Sequence, residues 1–155
     1  MRVGFGYDVH AFEPGDYLML GGEKIQFSKK FKVHSDGDVL LHAVCDAILG
    51  AAALGDIGKR FPDTDKQYAG ISSLDLLKET VYLLENEGFT LENIDATIAL
   101  QQPKLQRFIP EMRKNIAEIC HLSIGAASVK ATTTEKLGFV GEGKGAEAYA
   151  VALIK

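Results

Sequence analysis

The chain opens on an alternation. In Arg2-Val3-Gly4-Phe5-Gly6-Tyr7 bulky and small positions take turns, the period of a strand, and Asp8-Val9-His10 stands at its end. Residues two apart on a strand point to one face, so Asp8 and His10 can converge. Tyr17 to Leu20 and Glu23 to Phe27, joined by Gly21-Gly22, predict a hairpin. Phe31-Lys32-Val33 leads into His34-Ser35-Asp36-Gly37-Asp38. Asp36-Gly37 signals a turn, and Ser35, Asp36 or Asp38 can cap the helix that follows. That helix runs from Val39 to Leu54 and ends near Gly55. It is apolar almost all round, the pattern of a buried helix.

A polar, irregular stretch extends from Gly55 to about Gly70, long for a connection and for that reason a candidate functional loop. A second helix opens at Ser72 or Ser73, carries Leu74, Leu77, Val81 and Leu84 on one side, and stops at Gly88. Ile94, Ala96, Ile98 and Leu100 alternate with Asp95, Thr97 and Ala99, a strand with one buried face. Pro103 marks the entry to a third helix with Leu105, Phe108, Met112, Ile116 and Ile119 on one side, and Pro110 places the start of its regular part. Val129 to Thr134 is a β-branched strand, and a Gly-rich stretch, Gly138 to Gly145, leads to a last strand, Ala148 to Ile154. Gly141 to Gly145 is neither a dinucleotide fingerprint nor a phosphate loop, because it does not run from a strand into a helix. With no repeat and no linker, residues 1–155 read as a single α+β domain: a mixed sheet with helices on one face.

Within the buried helix the polar residues are Asp38, His42 and Asp46, one stripe at four-residue spacing. Polar groups in such a place need partners. Asp8, His10 and His42 together can supply a metal site, two histidines and a carboxylate with a fourth position left for water or substrate. The same residues can equally form a carboxylate–histidine hydrogen-bond network. Asp46, one turn beyond His42, is either an acceptor for the free imidazole N–H or a surface aspartate. His121, near the end of the third helix, reads as a dipole-friendly cap.

Composition narrows the setting. The chain has 155 residues, 46% hydrophobic and 25% charged, which is globular. Its net charge of -4 gives no basic footprint for nucleic acid. No apolar run reaches the ~18 residues of a membrane span, and no leader pattern precedes the first strand, so a cytoplasmic protein is expected. Cys45 and Cys120 read as core thiols.

The strings GYDVHAF, HSDGDVLLHAVCDAILGAAALGDIGKRFPDTD, QQPK and VKATTTEKLGF, in this order, resemble the 2-C-methyl-D-erythritol 2,4-cyclodiphosphate synthase family of the non-mevalonate isoprenoid route. The resemblance spans nearly the whole chain. It implies a homotrimer whose sheets face inward around a three-fold axis, with active sites between subunits. It implies a cyclase (a phosphorus–oxygen lyase) that converts 4-diphosphocytidyl-2-C-methyl-D-erythritol 2-phosphate into the cyclic diphosphate and CMP. Two cofactors follow: Zn2+ on Asp8, His10 and His42, and Mg2+ or Mn2+ on Glu135, bridging the substrate phosphates.

Other positions carry over from the resemblance. His34 and Thr133 match transition-state stabilisers, and Ser35 a phosphate contact. Asp56, Gly58 and Asp63 match groups that hold the methylerythritol hydroxyls, with Ile57 beside them and Phe61, Pro62, Thr64 and Asp65 in the same loop. Leu100, Gln101, Gln102, Pro103, Lys104, Leu105, Gln106 and Ala131 match the cytidine pocket. Thr132, Thr134, Phe139 and Glu142 complete the substrate-contact set, with Asp8 and His10 touching substrate as well as metal. At position 142 many members carry an arginine facing the axis, able to hold an isoprenoid diphosphate; the glutamate here argues against that anion site. Two readings compete with the cyclase: a zinc phosphodiesterase with water as nucleophile, and a non-catalytic trimer that uses zinc structurally or senses isoprenoid phosphates.

Overall fold

The computed structural model describes residues 1–33, 35–62 and 70–155, so His34, Asp63, Thr64 and Asp65 lie outside the described residues. The chain order is β1 (Arg2–Pro14), β2 (Tyr17–Leu20), β3 (Glu23–Gln26), β4 (Lys29–Phe31), α1 (Val39–Ala51), α2 (Ile57–Arg60), α3 (Ser73–Asn86), β5 (Leu91–Ala99), α4 (Ile109–Ile119), a 3-10 turn (Ile124–Ala126), β6 (Ala127–Thr132), α5 (Gly138–Gly141) and β7 (Gly145–Ile154). Five strands form one sheet in the order β4-β1-β7-β5-β6, and β2 and β3 form the hairpin. Only β5 and β6 run parallel, so the sheet is mixed. The helices α1 and α4 lie against it, and α3 packs on both.

Several boundaries differ from the sequence reading. β1 does not stop at His10: Phe12 pairs with Phe31 of β4, and backbone pairing carries the strand through residues whose side chains break the alternation. α1 ends at Ala51, before Gly55. Its end is a Schellman turn in which Leu54 N–H donates to Leu49 O and Ala53 N–H to Gly50 O. Ala53 takes the left-handed conformation (φ 59°) that a glycine usually fills, which hides this stop from a sequence reader. Inside the irregular stretch a short helix, α2, forms on a cap: Asp56 Oδ1 accepts from Lys59 N–H at 2.8 Å. β6 ends at Thr132, leaving Thr133 and Thr134 in the turn beyond it.

What places α1 is the glycine alternation of β1. Gly4 and Gly6 are buried beneath α1 while Phe5, Tyr7 and Val9 point to the other face. A Cβ on Gly6 would stand 1.9 Å from Ala43 O, and one on Gly4 1.9 Å from Ala47 O. The helix therefore rests on bare strand backbone, its small residues Ala43, Ala47 and Ala51 turned to it. Beside β1, the alanines 146, 148, 150 and 152 of β7 keep the same surface low. Eleven of the thirteen α1 residues are buried, and both cysteines are core thiols, their pKa raised by desolvation, Cys120 to about 12.

Among the described residues, nothing covers the opposite face of β1 and β7. Val3, Phe5, Tyr7, Val9, Tyr149 and Val151 are all exposed there, and the Tyr149 ring contacts those of Phe5 and Tyr7. So many large apolar side chains on one face exceed scattered surface residues and mark an interaction surface.

Candidate metal centre

β1 and α1 meet where the strand leaves its last glycine. Asp8 and His10 take the next two positions on the α1-facing side of the strand, and His42 precedes Ala43, whose carbonyl faces Gly6. Asp8 Oδ2 lies 3.0 Å from His10 Nε2 and 3.1 Å from His42 Nδ1. The three side chains offer ligand atoms all within 4.8 Å of one another. The two imidazoles stand edge to face, centroids 5.3 Å apart, and Phe31 packs T-shaped against the His10 ring at 5.5 Å.

The unused ring nitrogens settle which atoms face the centre. His10 Nδ1 is 3.0 Å from Gly37 O. A carbonyl only accepts, so Nδ1 carries a proton, and Nε2 is the nitrogen that faces the centre and would give its lone pair to a metal there. His42 uses the opposite nitrogen: Nδ1 faces Asp8 and Nε2 meets Ser73 Oγ at 3.0 Å. Desolvation opposes the ionised form of Asp8, yet hydrogen bonds from His10 and His42 outweigh it and bring the carboxyl down to about 2. Desolvation likewise lowers the His10 pKa, but Asp8 overcomes it and the net direction is upward. Two imidazole lone pairs and a carboxylate that stays ionised make a donor set fit for a divalent metal, with a coordination position open.

Asp46 does not join this centre. Its Oδ1 accepts from Ile57 N–H at 2.8 Å, because α2 folds back over the end of α1 and brings that N–H within reach. Asp46 thus holds the Asp56-Ile57-Gly58 segment and not an imidazole. Asp56 and Gly58 are exposed there, Ile57 and Pro62 half-buried, and Phe61 belongs to the core. Nor is Asp38 merely a cap. It is fully buried and accepts three backbone N–H groups, from Gly21, Gly22 and Leu41, at 2.8–3.1 Å. Ser35 Oγ accepts from Gly37 N–H at 3.1 Å. His121 is exposed and bound to Glu85 at 3.0 Å, away from the centre.

The remaining candidate residues gather at the C-terminal ends of β5 and β6, the rim where parallel strands leave room for ligands. Leu100 N–H donates to Thr132 O, and Gln101 Oε1 accepts from Lys136 N–H at 3.3 Å, so the 100–106 and 131–136 segments adjoin. Leu100 and Leu105 are buried in the core, and their backbone is what they can offer a ligand. Gln102, Lys104, Gln106, Ala131 and Thr132 are exposed, and Pro103 is half-buried. Thr133 Oγ1 donates to Glu135 Oε1 at 3.0 Å, an exposed pair. Glu135 and Lys136 both sit at positive φ, 53° and 65°, a strained pair of side-chain-bearing residues of the kind that collects at functional sites. Thr134 Oγ1 closes this turn on Leu137 O at 2.7 Å. Phe139 is exposed, and Glu142 is ion-paired to Lys144, a cation close enough to offset it.

Sequence reasoning misses Gly37 and Ser73 as partners of the histidines. Ser73 opens a helix, where serine reads as an ordinary cap residue, and Gly37 contributes only a carbonyl. No side-chain signal marks either one.

An α+β fold in which three candidate ligands converge defines a protein able to hold a metal ion, with fewer protein ligands than the four that close a structural site. The chain belongs to the YgbB family, whose profile matches residues 1–155. It is 56% identical over 155 residues to the 2-C-methyl-D-erythritol 2,4-cyclodiphosphate synthase of Syntrophobacter fumaroxidans, covering 100% of this chain and 98% of the relative. A synthase of the same name solved in its CDP-bound form superposes with a TM-score of 0.92 at 34% identity, over 99% of this chain and all of that one. The bifunctional IspDF of Campylobacter jejuni superposes with a TM-score of 0.94 at 45% identity. This chain is covered to 99% and spans 42% of that longer protein. Among the described residues no helix is long and apolar enough to cross a membrane.

Proposed function

We propose that this chain is a 2-C-methyl-D-erythritol 2,4-cyclodiphosphate synthase, a single domain over residues 1–155 acting in the cytoplasm. The observation that carries the reading is the convergence of Asp8, His10 and His42 in a chain 56% identical, end to end, to a synthase of that name. Its substrate is CDP-linked: the 2-phosphate oxygen attacks the β-phosphorus, the bond from that phosphorus to the oxygen bridging the α-phosphate breaks, and CMP leaves. Such a transfer asks a protein chiefly for positioning and charge neutralisation.

The metal at Asp8, His10 and His42 is zinc, which suits imidazole and carboxylate donors and, when bound, supplies Lewis-acid charge to a phosphoryl oxygen. Glu135 would hold the second cation, magnesium or manganese, which prefers oxygen donors and would neutralise phosphate charge. Thr133, which already donates to Glu135, turns its hydroxyl to the transferring phosphoryl group, and His34 donates to the 2-phosphate. Ser35 also contacts phosphate. Asp56, Gly58 and Asp63 hold the polyol hydroxyls, with Ile57, Phe61, Pro62, Thr64 and Asp65 around them. The rim from Leu100 to Gln106, with Ala131, Thr132 and Thr134, takes the cytidine, and Phe139 and Glu142 complete the contacts. The bare face of β1 and β7 supports assembly through the sheets as a homotrimer, with Val3, Phe5, Tyr7 and Tyr149 turned inward.

Phosphorus NMR of the products tests the activity, because CMP release alone does not separate ring closure from attack by water. Zinc-loaded protein should give the cyclic diphosphate and CMP, and His42→Ala should lose both zinc and turnover. An open-chain product from the unmodified protein would replace the cyclase with a phosphodiesterase. Ultracentrifugation should give three times the 16.8 kDa chain mass.

A further inference from the structure

The hydrogen bonds behind His42 run in one direction. Asp36 offers only acceptor oxygens. Its Oδ2 accepts from Ser73 N–H at 2.8 Å, and its Oδ1 takes the Ser73 hydroxyl in a short contact. That hydroxyl has a single proton, and Asp36 consumes it. Toward His42, 3.0 Å away, Ser73 Oγ can then only accept, so His42 Nε2 must carry the hydrogen. Nδ1, which faces Asp8, is thereby the nitrogen that would give its lone pair to a bound metal. Ser73 is 1% exposed, so water does not compete for the link.

We infer that Asp36 and Ser73 are positioning residues for the metal: a carboxylate–hydroxyl relay that sets the tautomer and ring orientation of His42. The inference rests on the metal reading of the Asp8–His10–His42 centre. It assigns Asp36 a task beyond turn formation, since the same carboxylate ties the loop before α1 to the first residue of α3. His10 reaches the complementary tautomer through the Gly37 carbonyl, one residue beyond Asp36. Both ligand imidazoles are thus oriented from the 36–37 turn. Partners of this kind are worth about 10–100-fold in metal affinity.

An isosteric change reverses the relay. In Asp36→Asn the side-chain oxygen stays on Ser73 N–H, the shorter of the two backbone contacts to this side chain at 2.8 Å, and the longer one, from Asp38 N–H at 3.3 Å, is given up. The NH2 then points at Ser73 Oγ and donates to it. The Ser73 proton is released toward His42 Nε2, which becomes an acceptor, and the ring hydrogen moves to Nδ1, where the metal must bind.

The test is zinc affinity by competition with a chromogenic chelator, on folded protein checked by circular dichroism. Asp36→Asn and Ser73→Ala should each lose about 10–100-fold. Ser72→Ala removes the α3 cap, the acceptor of Asp75 N–H, without touching the relay, and should bind zinc as the unmodified protein does. In the zinc-loaded unmodified protein a long-range proton–nitrogen spectrum should show the His42 hydrogen on Nε2, protected from exchange; in zinc-loaded Ser73→Ala it should exchange rapidly. Zinc bound by the unmodified protein and held equally by both relay variants overturns the relay and leaves the metal centre standing. An equal loss in Ser72→Ala also overturns it, by reducing the effect to the integrity of α3. Absence of zinc binding by the unmodified protein removes the metal reading and the relay with it. If a relay variant fails to fold, rapid exchange of the His42 Nε2 hydrogen in the unmodified protein is sufficient to overturn the relay.

Discussion

Gly6→Ala tests whether the strand glycines hold the metal centre together. The added Cβ would lie 1.9 Å from Ala43 O and 2.7 Å from Ala47 N, both backbone atoms that no rotamer change can move. Ordinary contact begins at 3.4 Å, so α1 must withdraw by about 1.5 Å. Overpacking typically costs about 1–3 kcal/mol, and a backbone-on-backbone clash belongs at or above the upper end. At about 2–4 °C per kcal/mol for a chain of this size, a loss of about 3 kcal/mol lowers Tm by roughly 6–12 °C. The same withdrawal carries His42 away from Asp8 and His10, and zinc sites tolerate only about 0.2 Å of displacement. Zinc affinity should therefore fall together with stability. Gly50→Ala is the control: it lies on α1 too, with nothing closer than 3.9 Å to a new Cβ, and should stabilise by about 0.5–1 kcal/mol. Differential scanning calorimetry at matched protein concentration and zinc titration read both effects. A Gly6→Ala protein that melts with the unmodified one and binds zinc equally would refute the close-packing account.

Asp46→Ala should keep its zinc and raise KM about tenfold, because it frees Ile57 N–H and loosens the 56–58 segment; steady-state kinetics with metal analysis checks this, and zinc loss would return Asp46 to the metal centre. Glu135→Gln should keep zinc while turnover falls and the magnesium requirement rises; an unchanged magnesium titration would remove Glu135 from the second-cation role. Metal-free protein should be most stable between about pH 4 and 6.5. Asp8, lowered to about 2, contributes fully above the ordinary carboxylate range and loses its contribution as pH falls toward that value, whereas His10, raised, contributes fully below the ordinary imidazole range and loses its contribution as pH climbs through its folded value. Urea unfolding across pH should show this maximum and Asp8→Asn should flatten it; an unaltered profile would separate the centre from stability.

The hairpin, the buried helix and the candidate ligands Asp8, His10 and His42 are legible in the sequence from alternation, an apolar run, and polar residues placed two and four apart; that β1 and α1 bring the three together is not a local signal. The ends of elements are less so. Pairing with β4 extends β1 past its pattern, and Ala53 stops α1 in a conformation that alanine does not advertise. The Gly4-Gly6 alternation reads as a strand, but its purpose appears only with Ala43 and Ala47 lying against it, some forty residues away. Ser73 is invisible for the same reason: it reaches His42 across an intervening stretch of chain, and its chemistry comes from Asp36.

The polar stripe of α1 shows what such long-range partners do. Sequence spacing puts Asp38, His42 and Asp46 on one line and implies that something must satisfy them. In the structure each is satisfied by a different part of the chain. Asp38 binds the Gly21-Gly22 turn of the hairpin, His42 meets Asp8 from β1 and Ser73 from α3, and Asp46 binds the first N–H of α2. A helix buried on nearly every side thus uses its few polar groups to fix a hairpin, a metal ligand and the segment proposed to hold the polyol. The spacing along that line sets the distances among the three, since a helix rises about 1.5 Å per residue. The candidate metal centre is therefore anchored on the most buried helix of the fold, and the segments around it are registered from the core outward.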